Sequence, residues 1–273
     1  MGSGSHDVYE YVCEDCDAPG GEMARAIDVV IGDVHARTDA LYSLLREIGV
    51  IDSDGRRRRA GWIVQVGDLL DRRAAPETNL ETAQLAADVL DVVLVGNHEW
   101  RLLADSDGDH GAALATLAAQ GWPDAACASA GWLITHAGVH PQLALDLPAN
   151  ADDCAAEINH RWHRDRQHAS RDPLFTWVGP ERGGPDPCGG IFWMHNDEWP
   201  TDEMTPWAQI SGHVPQREPR LLAGSRWAID VRSGRAERLA ALVRPHGERD
   251  WHPVVVKARS GCYRERPAYA LAA

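Results

Sequence analysis

The chain has 273 residues, 44% hydrophobic and 25% charged, the proportions of an ordinary globular protein, which leaves little room for disordered, collagen-like or disulfide-scaffold readings. That length predicts one large domain or at most two small ones. The net charge is −14, from 27 basic and 41 acidic residues, and every basic residue except Lys257 is arginine. Between positions 217 and 266, however, 12 basic residues face 6 acidic ones, so the acid is concentrated in the rest of the chain, which would repel anionic partners unless something cationic sits within it.

The sequence contains no run of 18 apolar residues and no charged-then-apolar leader, which predicts a soluble, cytoplasmic protein without a membrane partner. Met1-Gly2-Ser3-Gly4-Ser5-His6 has the composition of an expression scar and, with the acidic stretch to residue 24, stands apart from a single expected domain at 25–260 and a tail at 261–273. The six cysteines are scattered and read as reduced thiols. Only Cys13 and Cys16 have metal-ligand spacing; one such pair is weak evidence for zinc, and a loop with two free thiols is the simpler reading.

In chain order, residues 27–31, 62–66 and 92–95 are short β-branched runs that end on Gly32-Asp33, Gly67-Asp68 and Gly96-Asn97-His98. Each predicts a buried strand that delivers polar residues at its end. Between the first two, Leu41, Leu44, Leu45 and Ile48 recur at helical spacing before Gly49. Between the second and third, Pro76 opens a stretch in which Leu80, Ala83, Ala87 and Leu90 share a helical face. This β-α-β-α-β pattern predicts neighbouring parallel strands in an α/β fold.

Further on, residues 132–135 and 208–211 predict strands leading to His136-Ala137-Gly138 and Gly212-His213. Residues 226–231, 239–243 and 253–257 predict an antiparallel meander that forms a second sheet. The proline- and glycine-rich segment 165–190 predicts a long surface loop, extended to 207 as a cover for the site. His160, His163 and His168 fall on a predicted amphipathic helix with Ile158 and Trp162, as a solvated face; His140 is set apart from the site residues. Arg56-Arg57-Arg58-Arg59 reads as a solvated loop before a nucleic-acid patch, because it lacks interleaved aromatics. Asp105-Ser106-Asp107-Gly108-Asp109 lacks the glycine at position six and the glutamate at position twelve of a calcium loop and reads as an exposed acidic loop. Trp193, Trp199 and Trp207 are open between a stacking platform and core or lid packing.

Asp33, His35, Asp68, Asn97, His136 and His213 all stand at or just beyond predicted strand ends, the edge where loops of an α/β sheet converge on a ligand. Carboxylate, amide and imidazole donors suit Mn, Fe, Zn, Co or Ni. Six of them exceed what one tetrahedral ion takes and suit two ions sharing a carboxylate.

The blocks Gly32-Asp33-Val34-His35, Gly67-Asp68-Leu69-Leu70-Asp71-Arg72, Gly96-Asn97-His98-Glu99, His136-Ala137-Gly138 and Gly212-His213 resemble, in order and rough spacing, those of the calcineurin-like metallophosphoesterase superfamily. The resemblance spans about two thirds of the chain and implies a four-layer α/β/β/α sandwich with two mixed sheets flanked by helices. It also implies that Asp33, His35 and Asp68 hold one divalent metal, manganese first among the candidates, and that Asp68, Asn97, His136 and His213 hold a second. By the same resemblance Arg72 and Asn97 grip phosphate, and His98 is a general acid oriented by Asp71. The implied reaction is attack of a metal-bridging hydroxide on phosphorus.

The missing second histidine after Gly212-His213-Val214-Pro215, together with Gly-Asn-His-Glu and His-Ala-Gly-Val-His-Pro, resembles the serine/threonine protein phosphatase and symmetrical dinucleoside-tetraphosphate hydrolase branch. Phosphomonoesters, including phosphoserine and phosphothreonine, are then the first expected substrates, and dinucleoside polyphosphates the second. A nucleic-acid end phosphatase or phosphodiesterase is a further alternative suggested by the basic C-terminal segment, and a metal-retaining scaffold is disfavoured by His98, Asp71 and Arg72. That branch usually adds a second phosphate-binding arginine. Here the corresponding aromatic-rich block ends in His195, open between a substrate contact and a packed loop residue, while Arg182 is a possible substitute.

Overall fold

The computed structural model describes residues 27–58, 61–104, 108–119, 121, 123–168, 172–200, 204–223, 225–231, 238–258 and 263, with the side chains of 27, 104 and 165–168 left aside. Cys13, Cys16, Arg59, His168 as a side chain, the acidic run 105–107 and nearly all of the tail lie outside the described residues.

The elements run β1 (Ile27–Ile31), α1 (Thr38–Glu47), β2 (Ile63–Gln65), α2 (Pro76–Val89), β3 (Val92–Val93), α3 (Asn97–Ala104), α4 (Gly111–Ala119), β4 (Ala126–Ser129), β5 (Trp132–Thr135), α5 (Pro141–Ala144), α6 (Ala151–His168) and α7 (Pro173–Thr176). Five strands complete the chain: β6 (Ala208–Ser211), β7 (Arg220–Leu222), β8 (Arg226–Ala228), β9 (Arg238–Pro245) and β10 (His252–Lys257). They form two five-stranded mixed sheets, ordered β10-β9-β1-β2-β3 and β4-β5-β6-β8-β7. Helices flank them, as expected for the α/β/β/α sandwich.

The layering follows from the two-residue period of each strand. Val29 and Ile31 of β1 pack outward with Leu41, Leu44 and Leu45 of α1, whereas Val30 between them points inward to Val64, Ile134, Ile210, Trp227 and Leu242. Ile63 and Val64 of β2 divide in the same way. On the outer face of the second sheet Leu133 joins Ile158 and Trp162 of α6, Leu174 and Phe175 of α7, and Phe192. Each of these side chains gains roughly 1.5–3 kcal/mol from burial. The inner layer is what holds the two sheets, and hence their strand ends, in one place.

β1, β2 and β3 are parallel neighbours joined through α1 and α2, as the sequence pattern predicts. Three expectations need correction. The C-terminal meander is divided: β8 lies parallel to β6 in the second sheet, while β9 and β10 pair antiparallel and extend the first sheet from β1. The reason is visible in β9, whose Leu239, Ala240, Ala241 and Leu242 are all buried, so it needs cover on both faces and an interior position.

The segment from 165 is also not a surface loop throughout. It continues α6, then turns through α7 and a 3-10 turn at Pro180–Arg182, each opened by a proline, and it buries Leu174, Phe175 and Cys188. Finally, α2 is rotated from the expected face, burying Asn79, Thr82, Ala83, Leu85, Ala86 and Val89. Polar residues turn inward because they have partners: Thr82 meets the Thr38 hydroxyl at 2.6 Å, and the Asn79 amide brackets the Asp71 backbone.

Elsewhere His160 is exposed and His163 pairs with Asp124 at 2.9 Å. Arg56 and Arg58 are exposed, and Arg57 forms a two-pronged pair with Asp91. Trp193 and Trp207 are buried in the second sheet's outer core, which decides them as packing residues. Tyr263 packs against Tyr42 of α1.

Arg244 of β9 ties the two sheets together, donating to Asp28 of β1 and to Ser129 of β4 while lying 4.6 Å over the Trp251 ring. Removing it strands a half-buried carboxylate. Arg244→Ala is therefore expected to lower unfolding stability by about 3 kcal/mol, read as a shifted urea midpoint.

Candidate metal centre

The strand ends of both sheets converge where the first sheet supplies β1 and β2 and the second supplies β5 and β6. Asp33 and His35 follow β1, Asp68 follows β2, Asn97 and His98 open α3, His136 follows β5 and His213 follows β6. The turns that carry them are tight: His35, Asp68 and His213 have φ values of 49°, 56° and 67°. Three non-glycine residues in the left-handed region cost roughly 1–3 kcal/mol each, a strain that collects at functional sites.

Space is as restricted as backbone. A Cβ on Gly96 would collide with the backbone nitrogen and Oδ1 of Asp68, and one on Gly212 with Oδ1 of Asp33. These two glycines let the peptide run directly against the two carboxylates.

His136 Nε2 lies 3.0 Å from Asn97 Oδ1, 3.1 Å from His213 Nδ1 and 3.5 Å from Asp68 Oδ2. His35 Nε2 lies 3.7 Å from Asp33 Oδ2 and 3.8 Å from Asp68 Oδ2. Asp68 thus stands between two donor groups. Asp68, His136 and His213 each bring a ligand atom within 4.8 Å of the others, and so do His35, Asp68 and His98.

The electrostatics fit a cation. Asp33 is fully buried and Asp68 is 2% exposed. Burial pushes the Asp68 carboxyl well above its usual range, and the charges of Glu99 and Asp33 push it further. Burial also holds the His136 imidazole down at about 4, so it is neutral, as a ligand must be. With Nδ1 donating to Val66 O at 3.2 Å, Nε2 turns its lone pair toward the oxygens of Asn97 and Asp68. Acceptors facing acceptors at 3.0–3.5 Å are what a divalent ion between them would satisfy.

His98 lies at the edge of this cluster. Its Nε2 faces Asp68 Oδ2 at 4.0 Å and its ring meets that of His35 edge-on at 4.7 Å between centroids. On the other side Asp71 Oδ1 stands 3.3 Å from Nδ1, out of line for a good hydrogen bond but close enough to pair electrostatically. Burial alone would raise the Asp71 carboxyl; the His98 ring, the Arg73 N–H and the neighbouring His35 outweigh it and hold the pKa at about 2. Asp71 is therefore ionised at any pH above mild acid.

Arg72 is exposed on the same loop. Arg182, also exposed, donates to the carbonyl of His213 at 3.3 Å. His195 lies outside the donor set: its Nδ1 caps the 3-10 turn Asn196–Glu198 and its side chain lines a neighbouring cavity.

Sequence reasoning missed several supports. Glu99, 1% exposed, accepts from the backbone N–H groups of Asp68, Leu70 and Gly96 at 2.8–2.9 Å, clamping two ligand loops with one carboxylate. Arg37 donates to the carbonyls of Asp33, Val34 and Arg238, and Gln65 bridges Gly32 and Gly67. The only advance signal was for Glu99, which closes the Gly-Asn-His-Glu block.

Residues 29–232 match the family described as calcineurin-like phosphoesterases. The chain belongs to that family, whose members are metal-dependent phosphoester hydrolases using divalent ions. No curated protein matches it. Among the described residues, no helix is long and apolar enough to cross a membrane.

Glu99→Gln keeps the shape but replaces an acceptor oxygen by a donor against backbone N–H groups. We expect it to weaken divalent-metal affinity about 10- to 100-fold, measured by competition with a chelating indicator; unchanged affinity would show the clamp to be dispensable.

Proposed function

We propose that the protein is a dinuclear metal-dependent phosphatase of the serine/threonine protein phosphatase-like branch, acting on phosphomonoesters that include phosphoserine and phosphothreonine. The observation that carries this reading is the meeting of six donors from both sheets around Asp68, with an imidazole backed by an ionised carboxylate at their edge. The six-donor set fits Asp33, His35 and Asp68 on one ion and Asp68, Asn97, His136 and His213 on the other, with manganese the first metal to try. When bound, such ions supply an activated water and neutralise charge on the phosphoryl oxygens.

The chain's own residues would do the rest. Arg72 and Asn97 would hold the phosphoryl group in line, and Arg182, which donates to the His213 carbonyl, would serve as the second arginine. His98 carries a proton on the nitrogen that faces the site and delivers it to the leaving oxygen, while anionic Asp71 stabilises the imidazolium and fixes its orientation. A dinucleoside polyphosphate is the second reading, favoured by a cavity of about 540 Å³ that reaches Val214 and Pro215 beside His213. The basic segment 217–266 motivates a nucleic-acid end as a third reading, tested in the same substrate panel.

Hydrolysis of p-nitrophenyl phosphate should require added Mn and stop with chelator. His98→Ala should lower kcat about 10²- to 10⁴-fold with metal content retained, whereas Asp68→Asn should lose metal and activity together, as read by metal analysis beside the assay. Metal-loaded protein without turnover on p-nitrophenyl phosphate, phosphopeptide, dinucleoside tetraphosphate or phosphorylated oligonucleotide would overturn the reading.

A further inference from the structure

Directly after His213 in the chain, Val214 and Pro215 line the cavity of about 540 Å³. Trp199, Pro200 and Leu222 give it apolar sides, and Arg226 lies within its lining. Arg226 opens β8 and is 4% exposed. Its guanidinium stacks 4.0 Å from the Trp199 ring and its Nη2 donates to Asn196 Oδ1 at 2.8 Å. The other terminal nitrogen, Nη1, is buried with no hydrogen-bond acceptor among the described residues, and none of the described carboxylates forms an ion pair with Arg226.

A buried cation without a counter-charge is costly. Burial pulls the Arg226 pKa down only to about 10, so the group stays charged at neutral pH. Stacking on Trp199 and the Asn196 bond hold the planar fork in one orientation but leave its charge unmatched. The one carboxylate on the lining, Asp197, is largely exposed and turned to His195, 3.5 Å away. A guanidinium held in one orientation, apolar walls and a positive charge without an ion-pair partner among the described residues together suit a planar or tetrahedral oxyanion.

We propose that this cavity is an anion subsite, in which Arg226 receives a phosphate or carboxylate carried by the substrate at a distance from its scissile phosphate. That the anion belongs to a substrate rests on the phosphatase reading; that the cavity binds an anion does not. On that reading the subsite selects substrates with a second negative group over simple monoesters, and His195, on the cavity wall, is a neighbour of that group and not of the metals.

The test uses the full chain after chelation of metal, titrated calorimetrically with inorganic pyrophosphate and, separately, with succinate. Binding of at least one probe is expected, weakened about tenfold or more in Arg226→Gln. Leu222→Glu, which leaves Arg226 in place and sets a carboxylate on the cavity wall, should abolish the same binding and covers the case in which the arginine variant folds poorly. Response to pyrophosphate alone identifies a phosphate subsite, and to succinate alone a carboxylate subsite. No binding of either probe to the unaltered chain, or binding that both variants retain, overturns the proposal.

In Mn-loaded protein, the ratio of kcat/KM for dinucleoside tetraphosphate or an acidic phosphopeptide to that for p-nitrophenyl phosphate should fall about tenfold in Arg226→Gln; both ratios unchanged would remove the subsite from substrate selection. Absence of any phosphatase activity, with Arg226-dependent pyrophosphate binding intact, would fell the phosphatase reading and leave the anion site standing.

Discussion

The constraint on which the rest of this structure turns is the burial of Asp68 between other acids. Its carboxylate is out of water, in the field of Asp33 and Glu99, on a residue whose backbone is held in the left-handed region. Left alone, that arrangement favours taking up a proton over keeping the charge. What offsets it is partly built in: the N–H of His98, at the start of α3, donates to Asp68 Oδ1 at 2.8 Å, and the helix end adds its positive dipole. Those contacts orient one oxygen and leave the other, Oδ2, facing the histidines. A divalent cation is the remaining way to keep the buried carboxylates ionised together, and the surroundings are shaped to that end.

Because the donors come from two sheets, the centre exists only when the sheets are docked. His136 and His213 belong to the second sheet, Asp33 and Asp68 to the first, and no donor lies on a long free loop. The inner core of Val30, Val64, Ile134, Ile210 and Trp227 therefore sets the distance across the site as much as any contact within it. Short hydrogen-bonded braces complete the link: the N–H of His213 donates to both oxygens of Asp33 at 3.1 Å, and the ring of His136 reaches the Val66 carbonyl. Strain in the turns of His35, Asp68 and His213 is tolerable because dense cores lie directly beneath them.

How much of this was legible in the chain depended on how local the signal was. An apolar run that ends on glycine and an acid or histidine announces a strand and its cargo within a few residues, which is why the six donors are legible in the chain, whereas Asp71 and the role of His98 come from the resemblance of the motif blocks. The partner of a strand is not encoded locally. Residues 226–228 and 239–243 read alike, yet one run is parallel to β6 and the other is antiparallel to β1. The same limit hid the inward face of α2, where Asn79 and Thr82 are buried because of what lies across from them. Glu99, Arg37 and Gln65 act on backbone groups of other segments, a relation that side-chain type and spacing do not carry. Arg226 was invisible for a different reason: one arginine among many acquires meaning only from an acceptor that is missing.

The charge distribution then has a simple order. The protein is strongly acidic overall, and some of that acid is turned inward: Glu99 is met by backbone N–H groups, whereas Asp33 and Asp68 also face the histidines of the donor set. Arg72 and Arg182 stand at the surface, and Arg226 lies in the lining of the cavity at Val214 and Pro215. Without a cation, the buried carboxylates would repel an approaching phosphate. Two divalent ions held there would outweigh the charge of Asp33, Asp68 and Glu99 and invert the sign at the centre. On the proposed reading, affinity for phosphate at the reactive position would depend on metal, while selection among phosphorylated compounds would fall to the cavity at Arg226, whose charge comes from a side chain.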